Sequence, residues 1–468
     1  MNDMQEATMV KHLKIAYIGG GSRGWAWGLM SDLALEPALS GHVALYDIDF
    51  EAAQANEIIG NRLQDHPDAV GRWRYEAVQT LPEALKGSDF VIISILPGTF
   101  EEMRSDVHAP EAYGIYQSVG DTVGPGGAIR ALRSIPMYVE IAEAIRDHAP
   151  NAWVINYTNP MSVLTRTLYE VFPGIKAFGC CHEVFGTQEL LAEMLEDMTG
   201  VTGVRRQEIE VNVLGINHFT WLDRASYRGT DLFPLYQAFA EKYAEEGFST
   251  HGQKDHWMNN SFASANRIHF DLFRRFGLIA AAGDRHLAEF MPNTWYLRSP
   301  EHVKQWKFGL TTVDWRINNL QKLRERSRRL VAGEETFSLK SSGEEGIAML
   351  LSLTGASAPM ITNVNLPNRG QVASLPLNAV VETNAVFGAN SVQPVMAGSL
   401  PEDINNLVTR HVYNQETILK AALTKDRDLA FRAFLNDPLL STLTPSQAEE
   451  LFTTMLNNTK AYLPGWEL

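Results

Sequence analysis

The chain has 468 residues, with 40 Lys and Arg against 55 Asp and Glu, a formal net charge of −15 at pH 7. That balance argues against nucleic acid and against acidic membrane surfaces, which select a basic footprint, and no run of about 20 apolar residues is present to span a bilayer. The length predicts two domains, while two cysteines and no apolar N-terminal stretch of signal-peptide length predict a reducing, cytoplasmic setting.

Residues 13–18 read as a β run that breaks into Gly19-Gly20-Gly21-Ser22-Arg23-Gly24, with a helical stretch over 25–35 behind it. Strands follow at 43–47, 73–78 and 89–95, with a helix at 50–63. A long amphipathic helix over 128–148 then leads to a strand at 153–157, and the sheet is expected to end near Phe178. This alternation implies a Rossmann-type α/β domain, a doubly wound parallel sheet with helices on both faces, over residues 1–190. Past 190 the regular beat is lost. Strands at 209–214 and 379–382 mix with helices at 344–353 and 404–422, which predicts an α+β catalytic, metal-binding and oligomerisation domain over 191–468. The basic run at 324–329 reads as a solvated helix face.

Gly19-x-Gly21-x-x-Gly24 between a strand and a helix supplies a tight turn, a close backbone approach to a pyrophosphate and amide dipoles at a helix start. Ser22 lies inside that turn. Asp47 ends the second strand, where an acid holds a ribose hydroxyl and favours NAD over NADP; Asp49 shares that role or caps the next helix.

Cys180 and Cys181 are adjacent in Gly179-Cys180-Cys181-His182-Glu183, so a disulfide between them would close a strained ring. One thiolate with a distant imidazole makes a corner for a divalent metal, and Gly215-Ile216-Asn217-His218 offers the imidazole. Asp121, before the Gly124-Pro125-Gly126-Gly127 turn, reads either as a proton donor or sugar contact or as a turn aspartate bonded to its own backbone.

Taken together, Gly19-Gly20-Gly21-Ser22, Tyr46-Asp47-Ile48-Asp49, Asn156-Tyr157-Thr158-Asn159-Pro160-Met161, Gly179-Cys180-Cys181-His182 and Gly215-Ile216-Asn217-His218 resemble, in order and spacing, glycoside hydrolase family 4. The likeness runs nearly the whole chain. Gly120-Asp121-Thr122-Val123, Cys181-His182-Glu183-Val184 and Gly283-Asp284-Arg285-His286 are most similar to its α-galacturonidase branch. The resemblance implies a fold akin to lactate and malate dehydrogenases and a homo-dimer or homo-tetramer. It also implies hydrolysis of short α-linked galacturonates, as in pectin degradation, by NAD-dependent oxidation at C3, elimination, water addition and reduction with a divalent metal, Mn2+ by family habit. That route differs from the paired-carboxylate displacement of most glycosidases.

On this chain the family's metal ligands fall on Cys181 and His218, and Asn159 on a position near metal and sugar. Cys180 reads as a small buried hydrophobe. Asp284 is the candidate base with His286 in reserve, His182 and Asp121 are further catalytic candidates, and Arg130 or Arg285 would pair a uronate carboxylate. Rival readings are an α-glucosidase or α-galactosidase of the same family, or an NAD-dependent sugar-acid or 2-hydroxy-acid dehydrogenase.

Overall fold

The computed structural model describes residues 9–251 and 264–467. Its main sheet grows from β1 (Val10–Ile18), whose side chains alternate between two cores. Ile15 and Tyr17 enter one, with Val43 and Leu45 and with Ala26, Met30 and Leu33 of the first helix; Ala16 and Ile18 enter the other, with Leu132, Ile135 and Ile145 of the long helix. A strand buried on both faces needs helices on both faces, which the βα repeats provide. The parallel strands β2 (Leu39–Tyr46), β3 (Arg72–Val78), β4 (Phe90–Ile93), β5 (Trp153–Asn156) and β6 (Lys176–Gly179) stand with β1 in the order β3-β2-β1-β4-β5-β6. The strand order reverses between β1 and β4, and ligands of such sheets bind at the carboxyl ends beside that point.

A second, smaller sheet holds β7 (Ile209–Ile216), β8 (Phe219–Tyr227), β9 (Thr230–Asp231) and β10 (Ile279–Ala280). Val213 and Leu222 pack on the helices Glu183–Thr199, Phe233–Lys242 and Arg267–Phe276, whereas Leu214, Ile216, Phe219 and Trp221 join the core of the main sheet.

The main sheet does not end near Phe178. β11 (Met360–Pro367), β12 (Val380–Gly388) and β13 (Ser391–Pro394) extend it antiparallel beyond β6, through the pairing of Asn365 with Gly179. The second half of the chain therefore completes the first half's sheet. The pairing partners lie far apart in sequence, so no local pattern announces them. The helices expected at 25–35, 50–63, 128–148 and 404–422 are present as Trp25–Leu35, Phe50–Arg62, Gly124–His148 and Glu402–Thr424.

Candidate active site

The glycine turn is dictated by space. Gly19 has φ +95°, and a Cβ there would lie 2.0 Å from the Ser94 carbonyl oxygen; a Cβ on Gly21 would meet Ala52 and the Asp47 carboxylate at 2.7 and 2.8 Å. Asp47 accepts hydrogen bonds from the Gly21 N–H at 2.8 Å and the Asp49 N–H at 2.9 Å, tying strand end to turn. Asp49 accepts from the Ala52 N–H at 3.1 Å and so caps its helix. The Gly24 N–H points to Ser22 Oγ at 3.5 Å.

A second constellation gathers at the carboxyl edge of the sheet. Donor atoms of Asp121, His218 and His286 all lie within 4.8 Å of one another, and the two imidazole rings overlap with centroids 3.7 Å apart. His218 stands in the two-residue turn joining β7 to β8, with φ +66°, a left-handed conformation that the hairpin and the buried surroundings hold in place. Thr122 fixes its tautomer. The Thr122 hydroxyl, with a single proton, donates to Asp121 Oδ1 at 2.8 Å and faces His218 Nδ1 at 2.8 Å. It must therefore accept from Nδ1–H, which leaves the Nε2 lone pair free.

Electrostatics suit a cation. Burial first, then the neighbouring His286, pushes the His218 pKa down to about 3; burial also lowers that of His286. Both rings are thus neutral ligands near pH 7. Although burial opposes it, His286 and His218, which become cationic only in acid, together with Arg130 bring Asp121 down to about 2. Glu183 is likewise brought to about 2 against burial, by His286, His218 and His182. Its carboxylate accepts from the Gly283 N–H at 2.6 Å and stands 3.5 Å from His286 Nε2.

Cys181, Asn159 and His182 each have partners of their own. Cys181, buried just past β6, has its thiol beside Asn217, the neighbour of His218; burial first and then the charges of Glu382 and Glu183 raise its pKa, so its thiolate form calls for a cation alongside. Among the described residues it is not one of the three groups whose donor atoms converge. Asn159 donates to Asp121 Oδ2 at 3.4 Å. His182, about half exposed, bonds Glu344 at 2.9 Å. Burial opposes its charge, yet Glu344 and Glu183 raise its pKa to about 9.

Asp284 is turned elsewhere: fully buried, its Oδ1 meets His269 Nδ1 at 2.9 Å and the His269 N–H at 3.2 Å. The fold brings His286, two residues on, into the cluster and leaves Asp284 outside it. Arg130 donates through Nε to the Asn159 carbonyl at 3.0 Å, and Arg285 through Nη2 to the Ser118 carbonyl at 3.1 Å and to Thr311 Oγ1. Cys180 is buried in the core that includes Ile155 and Phe178.

Residues 14–197 match the Family 4 glycosyl hydrolase model and residues 213–440 its C-terminal domain. The chain belongs to glycosyl hydrolase family 4. This family 4 chain is 62% identical over 459 residues to the alpha-galacturonidase of Thermoanaerobacterium saccharolyticum, covering 98% of each. To the alpha-galacturonidase of Bacillus subtilis it is 55% identical over 453 residues, covering 97% of this chain and 99% of that one. The crystal structure of Bacillus subtilis LplD aligns at TM-score 0.90 and 55% identity over 96% of this chain and 100% of the other. A 6-phospho-alpha-glucosidase from gut microorganisms, crystallised in complex with NAD and Mn2+, shares the fold at TM-score 0.79 and 21% identity, over 97% and 100% of the two chains.

Several polar groups of this family 4 site were not singled out from sequence. Glu289 accepts from the Val119 N–H at 2.7 Å and the Gly120 N–H at 3.0 Å, holding the loop that presents Asp121; burial raises its pKa to about 8. Glu382, buried on β12, takes Asn217 at 3.3 Å and Asn363 at 2.6 Å, and burial raises it to about 7. A glutamate inside the apolar run Ala379-Val380-Val381-Glu382 was the available signal. Thr122 and Glu183 stood inside motifs already quoted, with no local mark of their function.

Proposed function

We propose that this chain hydrolyses short α-galacturonides, using NAD and a divalent metal, Mn2+ in the first instance. The observation that carries the reading is the convergence of Asp121, His218 and His286 at the carboxyl edge of a sheet whose first turn is shaped for a dinucleotide. Identity of 55–62% with four alpha-galacturonidases, each over at least 97% of this chain, supports the choice of glycoside.

The residues fit both groups. The glycine turn and Asp47 suit NAD. A cation is suited by two neutral imidazoles, a carboxylate held ionised, and His286 Nδ1, buried with no hydrogen-bond partner, with Cys181 close by as a softer donor. When bound, NAD and the ion supply reversible oxidation at sugar C3 and Lewis acidity at its oxygens.

The protein's own groups divide the proton work by their environments. Asp121 and Glu183, held as carboxylates, can take a proton or balance a cation but cannot supply one near neutrality. His182, charged up to about pH 9 at the open side of the cluster, is the group able to give a proton to a departing oxygen. Asp284 is not one of the converging donors, and its Oδ1 is held by His269. The described residues contain no helix long and apolar enough to cross a membrane. We further propose cytoplasmic action on pectin fragments and a homo-oligomeric enzyme.

Turnover of α-digalacturonide in D2O with NAD, Mn2+ and thiol reductant tests the reading by mass spectrometry of the released sugar. Deuterium at C2 with no net NADH is expected. Cleavage without label would overturn the redox route, and NADH accumulation without cleavage would make the protein a dehydrogenase.

A further inference from the structure

Three guanidiniums stand within electrostatic reach of Asp121: Arg130 from the helix Gly124–His148, Arg285 from the helix Asp284–Glu289, and Arg316 from the helix Val313–Ala332. The last helix is pinned against the site at its start. The Thr311 N–H donates to the Ser118 carbonyl at 3.2 Å, the Val313 N–H to His108 Nε2 at 3.2 Å, and Asp314 pairs with Arg104 at 2.7 Å. Arg316 thus enters from an element that contributes none of the converging donors.

The three differ in how their hydrogen bonds are used. Arg130 holds the Asn159 carbonyl and Arg285 holds Ser118 and Thr311, so both fasten the backbone on which the site stands. Arg133, one turn past Arg130, is closed by a buried two-point pair with Asp106. Arg316 has no such use: its Nε is buried without a hydrogen-bond partner, and no carboxylate among the described residues lies within ion-pair distance of it. The nearby acids are committed elsewhere, Glu289 to Val119 and Gly120, and Asp121 to Thr122 and Asn159. A buried charged donor lacking an acceptor is costly to fold around. A ligand carboxylate removes that cost, and the planar guanidinium offers it two parallel N–H groups.

We infer that Arg316 binds the sugar carboxylate of the substrate, making it the residue that selects uronides over neutral glycosides, while Arg130 and Arg285 position the loops around it. The inference rests on the galacturonide reading above. Steady-state kinetics of the NAD- and Mn2+-loaded Arg316→Gln and Arg316→Lys enzymes test it, on α-digalacturonide against an aryl α-galactoside, alongside inhibition by free galacturonate against free galactose. Loss of one charge-assisted contact should raise the galacturonide KM and the galacturonate Ki by about 10- to 100-fold, with little change in kcat or in the galactose Ki. R316K should recover part of the loss, and Arg285→Lys should weaken uronic and neutral sugars equally.

Equal effects of R316Q on both sugars, or none on either, would overturn the assignment. Should R316Q fail to fold, the uronic-to-neutral ratio in R316K decides by the same criterion. A wild-type enzyme that prefers the neutral galactoside, or binds galactose as tightly as galacturonate, would instead overturn the galacturonide reading itself.

Discussion

The glycine turn and the donor cluster are built in opposite ways. The turn is one continuous segment, and what it demands is absence: Gly19 and Gly21 are glycines because Ser94, Ala52 and Asp47 fill the space where a side chain would go. The cluster demands presence. It draws Asp121 from one loop, His218 from a hairpin turn and His286 from a helix, and each has a further polar neighbour to aim it, Asn159, Thr122 and Glu183 respectively. A steric site fails when something is added, whereas a polar site fails when one atom is taken away.

Removing the central imidazole should break the cluster alone. His218→Asn keeps a residue that tolerates the left-handed φ of +66°, so the hairpin should survive. Turnover should fall about 10³-fold or more, the several kcal/mol that a well-placed metal supplies. Mn2+ binding, read by electron paramagnetic resonance, should weaken sharply while NAD affinity stays within a factor of two or so. Unaltered Mn2+ binding would remove His218 from the metal site.

The converse experiment is Gly19→Ala. Its Cβ meets backbone, which cannot step aside, at a positive φ of 95°. A loss of at least about 1 kcal/mol in stability is expected, with NAD binding by fluorescence titration abolished or severely weakened. Mn2+ affinity should change little in protein that remains folded. If NAD binds normally, the turn is not the phosphate site.

Thr122→Val sharpens the comparison at smaller scale. It keeps the shape but lets His218 choose either tautomer and frees one Asp121 oxygen. Mn2+ affinity should drop about 10-fold, the low end for partners of metal ligands, with little effect on melting temperature. No change in affinity would mean that the hydroxyl does not orient the ring.

This contrast also explains what the sequence could disclose. The glycine turn, Asp47 and the parallel half of the sheet are local: periodicity, a turn and an acid at the next strand end suffice. His218 and Asp121 could be picked out because their motifs resemble those of a known family. The antiparallel strands β11 to β13 return from a distant part of the chain, so the sheet's end was misplaced at Phe178. Asp284 and His286 share one helical turn, and spacing alone does not say which of them faces the cluster; the Asp284–His269 pair decides it. Arg316 lies in a charged helix near the basic run at 324–329, and only its buried, unpartnered Nε distinguishes it from surface arginines.

The smallest effect expected is on stability against pH in the metal-free protein, where the interior and the open side of the cluster should pull in opposite directions. His218 titrates near 3 in the folded state because of burial and His286, against an ordinary value of about 6.5. Between those values the unfolded chain carries a proton that the native protein lacks, so stability falls as pH drops below 6.5, by at most about 1.4 kcal/mol per pH unit for this group. Asp121 and Glu183, depressed to about 2, add to the loss only below the ordinary carboxylate range. His182 works the other way: raised to about 9 by Glu344 against burial, it stabilises most fully below 6.5, and that contribution is lost as pH rises through 9. Its half-exposed position allows solvent to screen the pair, so the alkaline limb should be the shallower one. Glu289 and Glu382, raised by burial to about 8 and about 7, add a loss of stability as pH rises above the ordinary carboxylate range, so the two histidine limbs are read as differences between wild type and variant in urea unfolding at pH 5, 6.5 and 9. Glu344→Gln should flatten the alkaline limb and His218→Asn the acid one; a single variant flattening both would show that the interior and the mouth titrate as one unit.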